Sequence, residues 1–337
     1  MNESNDTGRG RLKRIVMAVV GIGLSAAGLW YVFKDVNSED LLASARRVHV
    51  LPLIGSLVIY WCGLVTLRSF LVKHLLRSVG ALTFFQAYRY ISIGFLANNV
   101  LPFRAGDLAR AAAISRGVRI SFPSVVGGLA LERMLDLVMV ALIGLVAIQL
   151  ADLRQEIQLT ALISAVVLTL ALVAFALVAR TKWKEKTPDP EHRVRAFIWN
   201  LWVRFSAGFG ALGTARGILF AALLALGIWF MAVATFMLRL AAFPDLDGDL
   251  LVMTLVTLTG LGFGVAVPSA PGFVGVYHFA VTVALVEGCN QDHDAAVAFG
   301  LISWMVDIGV GSTIGAISLS IEGLGLRELR KKMNSKE

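Results

Sequence analysis

Residues 94–140 read GFLANNVLPFRAGDLARAAAISRGVRISFPSVVGGLALERMLDLVMV, setting charged and helix-breaking residues into the middle of an otherwise apolar chain. Asn98, Asn99, Arg104, Asp107 and Arg110 fall inside one interrupted hydrophobic stretch, and Glu132, Arg133 and Asp136 fall inside the next. Ionisable groups at membrane depth are expensive to keep, so each is a candidate for function. The surrounding composition fixes the class. The chain has 337 residues, 57% of them hydrophobic and 16% charged, with a mean hydropathy of +0.74. That is too apolar for an ordinary soluble domain, and the chain reads as an all-α polytopic integral membrane protein. The formal net charge of +8 comes from basic clusters beside hydrophobic runs. This is a pattern of membrane topology and anionic lipid surfaces, not of nucleic-acid binding. Cys62 and Cys289 offer neither a metal-ligand spacing nor a disulfide framework.

The hydrophobic runs predict about six full spans plus two re-entrant or broken-helix hairpins, all within a single membrane domain, 1–337. The first half, 15–179, opens with Ile15 to Phe33. This run is long enough to cross a bilayer and follows a basic N-terminus, and no cleavage site of small residues follows it. Residues 34–49 suggest a short interfacial helix on the outer side. Leu51 to Val72 crosses back, with Arg68 near its end reaching toward Lys73, His74 and Arg77 at the cytoplasmic face. Phe84 to Ala97 covers only about 21 Å at the helical rise, and Pro102 and Gly106 break the chain after it. Segment 84–116 therefore predicts a re-entrant hairpin entering from the cytoplasm. Phe122 to Leu150 predicts one long helix carrying Glu132, Arg133 and Asp136, and Ile157 to Ala179 returns to a basic cytoplasmic linker, 180–196.

The second half, 197–321, begins with an aromatic interfacial helix, Phe197 to Gly213, and a span, Ile218 to Leu238. A second hairpin, 251–287, breaks at PSAPGFVGVYH (268–278), and its limb Phe279 to Val286 reads as too short to cross. Acidic loops flank this break on both sides, so it is expected to enter from outside. Val297 to Ile321 is the last span, and the basic tail 322–337 is expected in the cytoplasm, like the N-terminus. Two broken segments at corresponding places predict an inverted repeat with a site near the midplane of the cell membrane.

The charged residues allow three chemistries. Arg104 and Arg110 can bind a phosphate through the guanidinium fork, with Asp107, Glu132 and Asp136 neutralising them when the site is empty. The carboxylates can relay protons for a transport cycle. The set can also be a structural ion-pair lattice that locks hairpin to helix. Glu132 and Asp136 share a helix face, and Arg133 is placed to pair with Asp136. Asn98 and Asn99 are expected to cap the broken helix or meet a head group. Pro102, Gly106, Pro268, Pro271, Gly272 and Gly275 read as the backbone devices of the two breaks. His278 reads as a satisfied core histidine, with a pH-sensitive gate as its rival. Asp307 is expected to pair with an arginine of the first hairpin or to titrate. The acidic loop Asp245-Leu246-Asp247-Gly248-Asp249 reads as a solvated turn ahead of a metal site.

The series Asn98, Asn99, Leu101, Pro102, Arg104, Gly106, Asp107 and Arg110, followed by Glu132, Arg133 and Asp136, resembles the membrane domain of the flippase-like family. That family joins the transmembrane part of lysylphosphatidylglycerol synthases to stand-alone homologues. Pro271, Gly272 and Gly275 match its Pro-Gly-x-x-Gly segment, while Tyr277 and His278 stand where the family commonly has an acid. The resemblance implies translocation of a lipid, or of a lipid-linked sugar or amino acid. With no transferase domain after the last span, lysyl transfer is not expected. The site predicted for an anionic head group is Asn98, Asn99, Arg104, Asp107, Arg110, Glu132, Arg133 and Asp136, supported by Pro102, Gly106 and Asp307. Pro268, Pro271, Gly272, Gly275, Tyr277 and His278 form the opposite gate. Membrane lipids are the expected partners, with self-association open and no cofactor, metal or nucleic acid expected. No catalytic motif is recognisable, and an integral-membrane transferase acting on a lipid-linked substrate is the alternative.

Overall fold

The structure, a computed structural model, describes residues 20–101, 105–150, 170, 193–264 and 269–323. Pro102, Arg104, Pro268, the expected span 157–179, most of the linker and nearly all of the tail lie outside the described residues. Among those described there are helices and no strands. They are α1 (Val20–Phe33), α2 (Ser38–Arg46), α3 (Val50–Leu76), α4 (Phe84–Val100), α5 (Ala105–Gly117) and α6 (Phe122–Leu150). After the linker come α7 (Arg193–Ala207), α8 (Ala215–Leu240), α9 (Leu250–Gly264), α10 (Val276–Cys289) and α11 (His293–Ile321). α3, α8, the segment Pro271–Cys289 and α11 are long and apolar enough to cross a membrane. The protein is an all-α polytopic membrane protein.

Local sequence sets the helix ends. Thr83 and Gln86 form a capping box at the start of α4, and Thr214 and Asp292 cap α8 and α11 through their side chains. Asn290 in the left-handed region ends α10. α3 is interrupted by a π turn, Ile59–Leu64, a feature that recurs at functional sites. Both α4 and α10 run longer than the hydrophobic runs predict. α4 continues through Asn98 and Asn99 to Val100, about 25 Å, still shorter than a hydrocarbon core. The expected short limb Phe279 to Val286 is a helix of 14 residues, because the turn is complete at Gly275 and Tyr277 and His278 already belong to α10.

Two sets of contacts lie at opposite ends of α3. At one end His74 bonds the Gly217 carbonyl at 3.0 Å, Ser78 bonds that of Ala207, and Arg89 and Tyr90 bind Glu322. At the other, the His49 amide donates to the Ala242 carbonyl at 2.8 Å, Arg47 bonds Asp245, and the Asn37 amide bonds Asp294. The hairpin α4–α5 begins and ends beside the first set, since Gly80 meets Ile120 and Gly117 meets Tyr90. The hairpin α9–α10 begins and ends beside the second, where Gln291 bonds Asp247.

The order of helix, hairpin and 29-residue helix thus occurs twice, as α3, α4–α5, α6 and as α8, α9–α10, α11. The halves interlock: α4 packs on α11, α9 on α6 and α3 on α8. Gly315 permits the closest of these approaches, because a side chain there would strike the Ser92 carbonyl and Leu96 of α4.

Candidate functional site

The long helix α6 turns Glu132, Arg133 and Asp136 toward the first hairpin and α3. Glu132 is 1% exposed, and its two carboxylate oxygens bridge two arginines. Arg110 of α5 reaches it at 2.9 and 3.3 Å, and Arg68 of α3 at 2.7 Å. Arg68 also forks onto Asp136 at 2.9 and 3.1 Å. Asp136 further accepts from Arg133 at 3.3 Å and from the Trp229 indole of α8 at 3.2 Å, while Arg133 donates to Asp107 at 2.7 Å. Among the described residues, three arginines and three carboxylates form one charge-balanced network, in which each ion has a charged partner as burial requires.

A second ion pair stands apart from it. Arg239, near the end of α8, forks onto Asp307 of α11 at 2.6 and 2.7 Å. Its Nε donates to the Ser56 hydroxyl at 3.3 Å, and its guanidinium carbon lies 5.3 Å and 5.9 Å from the ring centroids of Phe236 and Tyr60.

Between the network and the pair lies a cavity of about 370 Å³, within the range of ligand sites. Arg68, Arg133 and Asp136 line one part of its wall, Tyr277 and Asp307 another. The π turn of α3 adds Tyr60 and Trp61. Both breaks reach the cavity, through Asn99 on one side and Gly272 and Phe273 on the other. Asn99 donates to the Ser312 hydroxyl at 3.0 Å, and Asn98 accepts the Gly106 amide at 2.9 Å across the first break, capping the opening turn of α5. The second break is a 3₁₀ turn, Pro271–Phe273, held by Trp304 bonding the Gly272 carbonyl and by the Ser25 hydroxyl of α1, which accepts the Ala270 amide. Gly272 and Gly275 have φ of +67° and +83°, and a side chain on Gly275 would run into the Ser25 backbone.

An apolar cleft of about 490 Å³ lies on the flank of α6 and α8. Met139 and Ile143 form one wall, and Leu223, Leu226 and Phe230 the other. Trp229 lines both this cleft and the cavity between the ion pairs.

Several expectations need correction. Arg110 is 3% exposed and engaged by Glu132, and among the described residues the arginines that line the cavity are Arg68 and Arg133. Arg68 does not reach to the membrane surface but turns inward to two carboxylates. Asp307 pairs with Arg239 of α8, not with an arginine of the first hairpin. His278 is a core residue beside Trp304, but neither ring nitrogen has a hydrogen-bond partner. In the acidic loop, Asp245 pairs with Arg47 and Asp249 caps α9 through the amides of Leu251 and Val252. Arg239, Trp229 and Tyr60 carry no signal in the sequence, since an arginine near the end of an apolar run ordinarily reaches the lipid head groups and aromatic residues blend into such a run.

This architecture defines a polytopic membrane protein with a cavity between its helices, lined mainly by apolar side chains into which Arg68, Arg133, Asp136 and Asp307 are set. Residues 18–315 match the family described as the lysylphosphatidylglycerol synthase TM region, and the chain belongs to that family. It is also similar to a protein named glycosyltransferase AglD from Haloferax volcanii, at 26% identity over 372 residues, covering 94% of this chain and 56% of that protein. The chain therefore spans little more than half the length of this relative.

Proposed function

We propose that the protein translocates a phospholipid or lipid-linked molecule with an anionic head group across the cell membrane, through the cavity between its halves. The observation that carries this reading is the cavity itself, where arginine–carboxylate pairs stand between two broken helices. A head-group phosphate matches the fork of an arginine as well as a carboxylate does, so substrate can replace an internal acid without stranding a charge. Asn99, Arg68, Arg133 and Asp136 meet the head group. Asp107, Arg110 and Glu132 hold those side chains in place, and Pro271 to His278 form the opposing wall. The opposite ends at which the two hairpins begin and return support an inverted repeat with re-entrant tips, and the basic clusters support cytoplasmic termini. The apolar cleft beside Trp229 suits the acyl chains while the head group is inside.

The test is lipid movement in proteoliposomes containing the purified chain and head-group-labelled phosphatidylglycerol. Wild-type protein equilibrates the label between leaflets, and Arg68→Ala, Arg133→Ala and Glu132→Gln variants that remain folded do so more slowly. Equal rates in all four overturn the assignment. The name of the Haloferax relative favours a second reading, a transferase that modifies a lipid-linked substrate with the same carboxylates as acid or base. Mass spectrometry of the lipids after incubation separates the two, because translocation leaves every mass unchanged and transfer creates a new one.

A further inference from the structure

Asp136 and Asp307 are each the middle residue of a 29-residue helix, 122–150 and 293–321, in corresponding places of the two halves. Each takes a two-pronged bond from an arginine on the long helix that precedes the hairpin of its half, Arg68 on α3 and Arg239 on α8. Both carboxylates line the same cavity. The surroundings differ. Asp136 is also bound by Arg133 and Trp229, whereas Asp307 has Arg239 as its only charged partner among the described residues and its side chain is 32% exposed to the cavity. Arg239 is 1% exposed and held from behind by Ser56, Phe236 and Tyr60, contacts that do not depend on Asp307. Next to this pair Tyr277 lines the cavity, and its buried hydroxyl donates no hydrogen bond to any described residue. A preorganised guanidinium behind one displaceable carboxylate, with an unused donor beside it, is a phosphate site with its lid in place.

We propose that Arg239, Asp307 and Tyr277 form a second phosphate station in the second half of the protein, the counterpart of Arg68 and Asp136 in the first. The inference rests on the translocation reading above and deepens it. Asp307 swings from Arg239, the phosphate takes its place on the fork, and the Tyr277 hydroxyl donates to a further phosphate oxygen. The head group then has one station in each half, and passage across the membrane is transfer from one arginine to the other.

The experiment measures binding of dihexanoyl phosphatidylglycerol to the full chain in neutral detergent, with inorganic phosphate and dihexanoylglycerol as separate arms, together with movement of labelled phosphatidylglycerol in vesicles. Asp307→Asn removes the competing charge and is expected to bind the phospholipid roughly tenfold more tightly while moving it more slowly. Arg239→Lys keeps the charge but loses the fork, and is expected to bind roughly tenfold more weakly. A merely structural pair gives no tightening in Asp307→Asn. Competition by inorganic phosphate assigns the station to the phosphate group alone; competition only by the phospholipid assigns it to the lipid. Binding of dihexanoylglycerol as tight as that of the phospholipid overturns the station. If wild-type protein moves the label and Arg239→Lys binds and moves it unchanged, the second station is wrong and translocation stands. If wild-type protein neither binds nor moves it, the translocation reading falls first. Arg239→Lys preserves the ion pair, so it keeps the test decisive should Asp307→Asn not fold.

Discussion

The two halves use one architecture and distribute charge on it differently. In the first, Arg68, Arg110 and Arg133 share Glu132, Asp136 and Asp107, so that moving one side chain disturbs several bonds. In the second, Arg239 and Asp307 face each other alone among the described charges of that half's interior, beside hydroxyls and an imidazole that make no hydrogen bond. A shared lattice is stiff because Arg68, Arg133, Glu132 and Asp136 each hold two charged partners. A single pair is a two-position switch. The comparison teaches that the first half suits a fixed wall against which a head group is oriented, and the second suits the part that yields.

The largest effect expected on this contrast comes from Glu132→Gln. It leaves the buried Arg110 and Arg68 short of charge, and should cost about 3–5 kcal/mol, read as a lowered unfolding temperature in detergent. Replacing Arg110 and Glu132 together by Met and Leu should recover part of that loss; no recovery would show that the lattice is needed for more than charge balance. Asp307→Asn strands only one arginine beside an open cavity and should cost less, about 1–3 kcal/mol by the same measurement. If it costs as much as Glu132→Gln, the switch-and-wall distinction fails. Gly275→Ala forces a side chain into a left-handed turn against Ser25, for about 1–3 kcal/mol and slower lipid movement. Trp229→Phe keeps the ring between cavity and cleft but drops the bond to Asp136. Its stability cost of about 1–2 kcal/mol should be accompanied by altered lipid movement, which a plain packing role would not produce. Arg47→Ala breaks only an exposed ion pair with Asp245. It should change stability by less than about 1 kcal/mol and serves as the control outside the comparison.

Much of this was legible in the chain. A Pro- or Gly-broken run is visible because the rest is so apolar, and the spacing of Glu132, Arg133 and Asp136 fixes which of them share a face of α6. Arg68 and Arg239 were not legible. Each lies near the end of an apolar run, where a long side chain ordinarily reaches the lipid head groups. Only the partner supplied by a distant helix turns it inward, Asp136 for Arg68 and Asp307 for Arg239. Trp229 is tied to the site only through Asp136 of α6, which accepts its N–H. The fit of Ser25 to the second break is likewise a contact between segments some 245 positions apart, which no local pattern encodes.

The sequence by itself therefore determined the class, an all-α polytopic membrane protein, and the spacing of the acids and arginines along α5 and α6, because hydrophobic length and helical spacing act within a segment. The tertiary structure decided which arginine meets which carboxylate, and that both breaks open on one cavity. Ion pairing in an apolar interior is set by which helices are packed side by side, and that is a property of the whole fold.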